Sequence, residues 1–181
     1  HSEVCVMSVL LSDGENETSM AQVFIGVGSN IDRDENIRSG IRVLREQFNN
    51  VSISTLYETS AVGFEGDNFY NMVISLETDL QPRELQEKLH DIENQFGRTR
   101  GGPRYVSRTL DLDLLLYDDL VCEEEGLQIP REDVTKFAFV LLPLSEMAGE
   151  LRHPVSEKCY MDIWSDFDQT GQELWVVELE L

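Results

Sequence analysis

Arg108-Thr109-Leu110-Asp111-Leu112-Asp113-Leu114-Leu115-Leu116-Tyr117 is the stretch on which the fold turns. Successive side chains of a β-strand point to opposite faces, so Leu110, Leu112, Leu114 and Leu116 are expected together in the core. Asp111 and Asp113 then share the other face. A strand of a parallel sheet, buried on both sides, reads as a continuous apolar run instead. The alternation therefore predicts an antiparallel sheet with one face that tolerates charge.

Outward from this strand the elements alternate. Residues 23–27 are a compact apolar run entering the turn Gly28-Ser29-Asn30. Residues 32–48 space Ile37, Ile41, Leu44 and Phe48 as one face of a helix, with Arg38, Arg42 and Arg45 outward. Two further strands are expected at 51–57 and 71–78, joined by a loop containing Gly63, Gly66, Phe64, Phe69 and Tyr70. Pro82 opens a second helix whose stripe is Leu85, Leu89, Ile92 and Phe96, and Gly97 ends it. After the strand at 109–117 come an extended piece at 126–130 and a helix at 136–147, expected to be interrupted near Pro143. A helix near 160–167 and a strand near 174–179 close the chain. This order predicts an α+β, ferredoxin-like β-α-β-β-α-β sandwich: an antiparallel sheet with additional C-terminal helices. Neither a P-loop nor a GxGxxG follows the first strand.

At 181 residues the chain suits one domain, expected over 20–181. Residues 1–19 read as an extension dispensable to it, because 4–11 are apolar but short and an acidic stretch follows. That run lacks the basic flank of a signal peptide, and no stretch reaches the ~18 apolar residues of a membrane span. Cys5, Cys122 and Cys159 form neither a CxxC pair nor a zinc spacing, so reduced thiols and a cytoplasmic protein are expected. With 14 basic against 35 acidic residues the net charge is −21, which disfavours nucleic acid and anionic membranes as partners. An enzyme of anionic substrates must then gather its few cations locally.

The chain does gather them. Arg98, Arg100, Arg104 and Arg108 lie within residues 98–110, without an acidic residue among them, and lead directly into the two-aspartate strand. Guanidinium forks bind phosphate oxygens in pairs, and paired carboxylates hold Mg²⁺ when phosphates complete its shell. Together they point to a metal–polyphosphate complex. In the loop before residue 71, Phe69 and Tyr70 offer stacking surface for a flat heterocycle, and Asn71 offers a matched donor and acceptor.

Gly26-Val27-Gly28-Ser29-Asn30, Tyr57-Glu58-Thr59, Phe69-Tyr70-Asn71, Glu93 with Gly97-Arg98, the 108–117 strand, 137–144 and His153-Pro154 together resemble the hydroxymethyldihydropterin pyrophosphokinase family over roughly residues 22–167. The resemblance implies a ferredoxin-like monomer that takes ATP and two Mg²⁺ ions, with a hydroxymethyl dihydropterin as the second small-molecule substrate. It implies Asp111 and Asp113 as metal ligands, and Arg98 and Arg108 as catalytic phosphate contacts. Gly28, Thr59, Val62, Phe69, Asn71 and Phe139 fall on pterin-site positions. Glu93, Arg98, Arg100, Arg104, Arg108, Leu114 and Arg131 fall on ATP-site positions. Departures from the pattern are Phe69 for tyrosine, Tyr105-Val106-Ser107 for tryptophan-glycine-proline, Arg131-Glu132 for histidine-tyrosine, and Phe137 for arginine. The last two suggest altered nucleotide affinity. A catalytically weakened pterin- or nucleotide-binding homologue is the alternative, and an acidic interaction domain without enzymatic activity is a third reading.

His90 and His153 read as structural, which leaves no evident general base. Charge stabilisation then falls to the arginines, and their settings differ. Arg108 is three residues before Asp111, on a rigid strand, whereas Arg100 and Arg104 flank Gly101, Gly102 and Pro103. Arg108→Ala is expected to lower kcat by orders of magnitude, as loss of a transition-state contact does. Arg100→Ala and Arg104→Ala are expected mainly to raise the KM for ATP. Steady-state kinetics with titrated ATP checks this, and equal kcat losses from Arg100 and Arg108 would contradict it.

Overall fold

The computed structural model describes residues 19–60, 67–97 and 109–181. The elements in chain order are β1 (Ala21–Ser29), α1 (Arg33–Gln47), β2 (Asn49–Ile53), β3 (Leu56–Thr59), β4 (Phe69–Thr78), α2 (Pro82–Gln95) and β5 (Asp111–Tyr117). Then follow β6 (Cys122–Glu124), β7 (Leu127–Ile129), α3 (Asp133–Lys136), α4 (Ala138–Ala148), α5 (Tyr160–Ser165) and β8 (Trp175–Val177). The main sheet runs β5-β1-β4-β3-β8 and its pairs are antiparallel, while β2 pairs with the far half of β4. With β2 and β3 counted as one bent strand, this is the expected β-α-β-β-α-β sandwich, extended by β8 and by the C-terminal helices.

The periodicities explain the two layers. Val23, Ile25 and Val27 of β1, Met72, Ile74 and Leu76 of β4, and Leu112 and Leu114 of β5 bury one face of the sheet. They pack on Ile37, Ile41 and Leu44 of α1 and on Leu85, Leu89 and Ile92 of α2. These side chains leave water almost completely, each worth about 1.5–3 kcal/mol. On the other face Phe24, Val73, Leu115 and Leu116 pack against Val140, Leu141 and Leu144 of α4 and Tyr160 of α5. That second helical layer covers only part of its face. Gly26, Gly28, Asn71, Asp111 and Asp113 have the parity of this face but lie toward the other end of the strands.

Three sequence expectations change. The single strand expected at 51–57 is broken, because Ser54 replaces the ladder with its own groups: its N–H donates to Val73 O and its hydroxyl accepts from Val73 N–H, each at 2.9 Å. Leu116 leaves the face of Leu110, Leu112 and Leu114. Phe24 pairs with Leu116 and Ile25 with Leu114, so Leu115 is the extra residue of a bulge and the parity inverts beyond it. Pro143 does not interrupt α4, which runs through it; only the bond that its missing N–H would have made to Phe139 O is lost. Lys136 belongs to the separate turn of α3.

Among the described residues no helix is long and apolar enough to cross a membrane. Residues 1–18 lie outside the described residues, so the expected extension is placed by sequence alone.

Candidate active site

One row of side chains crosses the middle of the sheet. Tyr57 of β3 faces Asn71 of β4, Asn71 faces Gly28 of β1, and Gly28 faces Asp111 of β5. The neighbouring row places Gly26 between Val73 and Asp113. Cross-strand partners point the same way, so the carboxylates and the asparagine share a face with two bare glycines between them. Adjacent strands are about 4.8 Å apart, which sets Asn71 and Asp111 roughly 10 Å from each other across the Gly28 floor. Space is tight over Gly28: a Cβ there would stand 3.0 Å from Asn71 Oδ1, so the amide would have to give way, while one on Gly26 would meet nothing nearer than 3.6 Å.

The asparagine is oriented. Asn71 is buried, and its Nδ2 donates to Thr59 Oγ1 at 2.9 Å, so Oδ1 is the end that lies over Gly28. Phe69 opens β4 on the same parity as Asn71, half-buried and opposite Thr59. Phe139 stands half-buried in the first turn of α4, its ring stacked on Phe137 at 5.2 Å and 16°. The Tyr57 hydroxyl donates to Glu146, which also accepts from Thr55 Oγ1 at 3.3 Å. Burial and then this carboxylate hold the Tyr57 phenol well above its usual range. The bond ties β3, which carries Thr59, to α4, which carries Phe139.

The acidic side is under electrostatic load. Burial first, and the Asp111 carboxylate second, push Asp113 up to about 8. The Arg131 guanidinium opposes them from 3.9 Å, and its Nε is 3.3 Å from Asp133 Oδ2. The Asp113 side chain keeps 31% exposure, which leaves an approach for a cation. On the helix side of β5, buried Glu93 accepts the Leu112 N–H at 3.0 Å and so grips the strand between the two aspartates. Two neighbouring carboxylates on one face, with part of Asp113 still reachable from solvent, suit a divalent cation.

A family model described as 7,8-dihydro-6-hydroxymethylpterin-pyrophosphokinase (HPPK) matches residues 24–149. The chain belongs to that family. It is 38% identical over 144 residues to 2-amino-4-hydroxy-6-hydroxymethyldihydropteridine pyrophosphokinase of Aquifex aeolicus, covering 77% of this chain and 88% of the relative. The Bacillus subtilis protein of the same description is 35% identical over 156 residues, covering 84% and 89%. Among solved structures, a Plasmodium falciparum HPPK-DHPS triple mutant with pteroate aligns with a TM-score of 0.66 at 13% identity. That alignment covers 82% of this chain and 43% of the other, so this chain spans less than half of the solved one. At that identity the likeness concerns the fold.

Of the positions the HPPK resemblance picked out, the structure gathers Gly28, Thr59, Phe69, Asn71, Asp111, Asp113 and Arg131 around the open face, with Phe139 on the helix beside it. It places Leu114, 4% exposed, and Glu93 on the opposite, helix-covered side. Val62, Arg98, Arg100, Arg104 and Arg108 lie outside the described residues. Gly26, Tyr57, Glu146 and Asp133 were missed as site-building residues. Alternate glycines in Gly26-Val27-Gly28 were a signal for the first, whereas the contacts of Glu146 with Tyr57 and Thr55 are long-range and left no local pattern.

Two measurements probe this geometry. An unfolded aspartate titrates near 4, so the folded metal-free protein binds the Asp113 proton more tightly than the unfolded chain does. Its thermal midpoint should therefore fall as pH rises from about 4 to about 8. Asp113→Asn should flatten that decline, as thermal melts in chelator will show, and an undiminished slope would contradict the assignment. Gly28→Ala should push the Asn71 amide aside and raise the KM for the pterin roughly ten-fold, the scale of one misaligned hydrogen bond. Gly26→Ala, with ordinary contact distances, should do less.

Proposed function

We propose that the open face of the sheet is where this pyrophosphokinase carries the diphosphate of ATP to the hydroxymethyl group of 6-hydroxymethyl-7,8-dihydropterin, releasing AMP, a step of folate biosynthesis. The observation that carries this reading is the Asn71–Gly28–Asp111 row, which sets an amide oxygen and a carboxylate on one floor. Asn71 Oδ1, held by Thr59, accepts from the pterin edge, and the rings of Phe69 and Phe139 offer it stacking surface. This orients the hydroxymethyl oxygen toward the carboxylate side, where it displaces AMP from the β-phosphorus.

Asp111 and Asp113 would hold the Mg²⁺, two ions in our reading, with Asp113 giving up its proton on binding. Mg²⁺ supplies neutralisation of the triphosphate oxygens, a contribution of several kcal/mol. Arg131 lies 3.9 Å from Asp113 and would meet phosphate oxygens beside it, a duty for which Phe137 has no charge. Arg98 and Arg108 stabilise charge on the migrating group, and Arg100 and Arg104 recruit ATP. In this reading Val62 completes the pterin site, whereas Leu114 and Glu93, expected at the ATP site, support β5 from its helix-covered side instead. It also takes the chain as a cytoplasmic monomer acting on small molecules without a nucleic-acid partner, and residues 1–19 as dispensable.

The test is release of AMP from ATP, measured with and without the hydroxymethyl dihydropterin. Asp111→Ala and Asp113→Ala should each lower turnover on the order of a thousand-fold while the fold persists by circular dichroism, since neither side chain packs in the core. Activity within a few-fold of the parent in both variants would remove the carboxylates from the site.

A further inference from the structure

The C-terminal segment touches both walls of the proposed pterin pocket, and one amide carries the contact to the second wall. Gln172 Oε1 accepts the Ala138 N–H at 2.8 Å, and Gln172 Nε2 reaches Lys136 O at 3.4 Å. These are the peptide groups on either side of Phe137. The N-terminus of α4 has no cap from its own side chains, so this remote glutamine satisfies its first N–H. Phe137 is thereby held extended, at φ −116° and ψ 127°, with its ring stacked on Phe139.

Three residues beyond Gln172, Trp175 pairs with Glu58 and Val176 with Tyr57 on β3, whose next residue is Thr59. Three residue steps cannot span more than about 11 Å. The segment is therefore a short tether between the start of α4 and the end of β3. Its near end is itself stiffened: Gln172 N–H donates to Gln169 O at 2.8 Å, and Asp168 accepts from both the N–H and the hydroxyl of Thr170. The tether lies beyond residue 149, where the match to the family model stops.

We propose that Gln172 is a positioning residue for the pterin pocket: by bracketing Phe137 it orients the Phe139 ring and sets its separation from the Thr59–Asn71 wall. The inference rests on the reading of Phe139 as a pterin-stacking residue. Gln172 touches no substrate in it, and β5 with its aspartates lies three strands along the sheet from β3, where the tether docks.

Kinetics on the full chain tests it. Gln172→Ala should raise the KM for the hydroxymethyl dihydropterin about five-fold, the range of one lost hydrogen bond. The KM for ATP and kcat at saturating pterin should stay within about two-fold of the parent, as positional effects confined to one subsite do. Because Gln172 acts through Phe139, the same substitution should have no further effect on pterin KM in a Phe139→Ala background. An unchanged pterin KM in Gln172→Ala, a parallel rise for both substrates, or additive effects in the double variant would overturn the role of Gln172. Phe139→Ala separates the two failures: pterin KM unchanged in that variant alone overturns the site reading, and this inference with it.

Discussion

The pleat of β1 is the constraint on which the rest depends. Its odd residues Val23, Ile25 and Val27 are locked into the helix-covered core, and both of its edges are paired, to β4 and to β5. The parity of Gly26 and Gly28 is therefore not free. A slip of one residue on either side would turn Asp111 and Asp113, or Asn71, into the apolar layer, where an unpaired charge is very costly. The alignment of donor, floor and carboxylates is thus enforced by burial on the far side of the sheet, several kcal/mol for each misplaced core residue.

Burial on the near side is incomplete for an equally physical reason. The bulge at Leu115 turns both Leu115 and Leu116 toward α4, doubling the apolar contact at one end of the strand. That concentrates the second helical layer away from the aspartates and leaves their end of the face to solvent. The consequence is electrostatic. In a chain of net charge −21, Asp113 is pushed to keep its proton by burial and by the Asp111 carboxylate, against Arg131 at 3.9 Å, so occupancy by a metal and loss of that proton are linked. The arginine-rich segment supplies in sequence the positive charge that the acidic surface lacks.

The helix that carries Phe139 is fastened to the sheet by contacts from elsewhere in the chain. Glu146 reaches β3 through Tyr57 and Thr55, and Gln172 takes the first N–H of the helix. A largely apolar helix such as α4 has little directional information in its own packing, since hydrophobic burial is non-directional. Hydrogen bonds at its two ends provide the angular register that stacking requires.

Strong local periodicity made the layers legible in the sequence: the Ile37-Ile41-Leu44 and Leu85-Leu89-Ile92 stripes, the alternation through Asp111 and Asp113, and the strand order of an antiparallel sandwich all hold in the structure. That Asp111 and Asp113 share one face was legible too, because two residues apart on a strand is a single step of the pleat. What tertiary structure decided was parity and partnership. The bulge at Leu115 depends on register with β1, and the break at Ser54 depends on a hydroxyl meeting the Val73 N–H. Arg131 beside Asp113, Glu146 on Tyr57 and Gln172 on the start of α4 are contacts between residues distant in the chain. Such contacts leave no local period, since their energy is gained only after the sheet has closed and the ends of the chain have met.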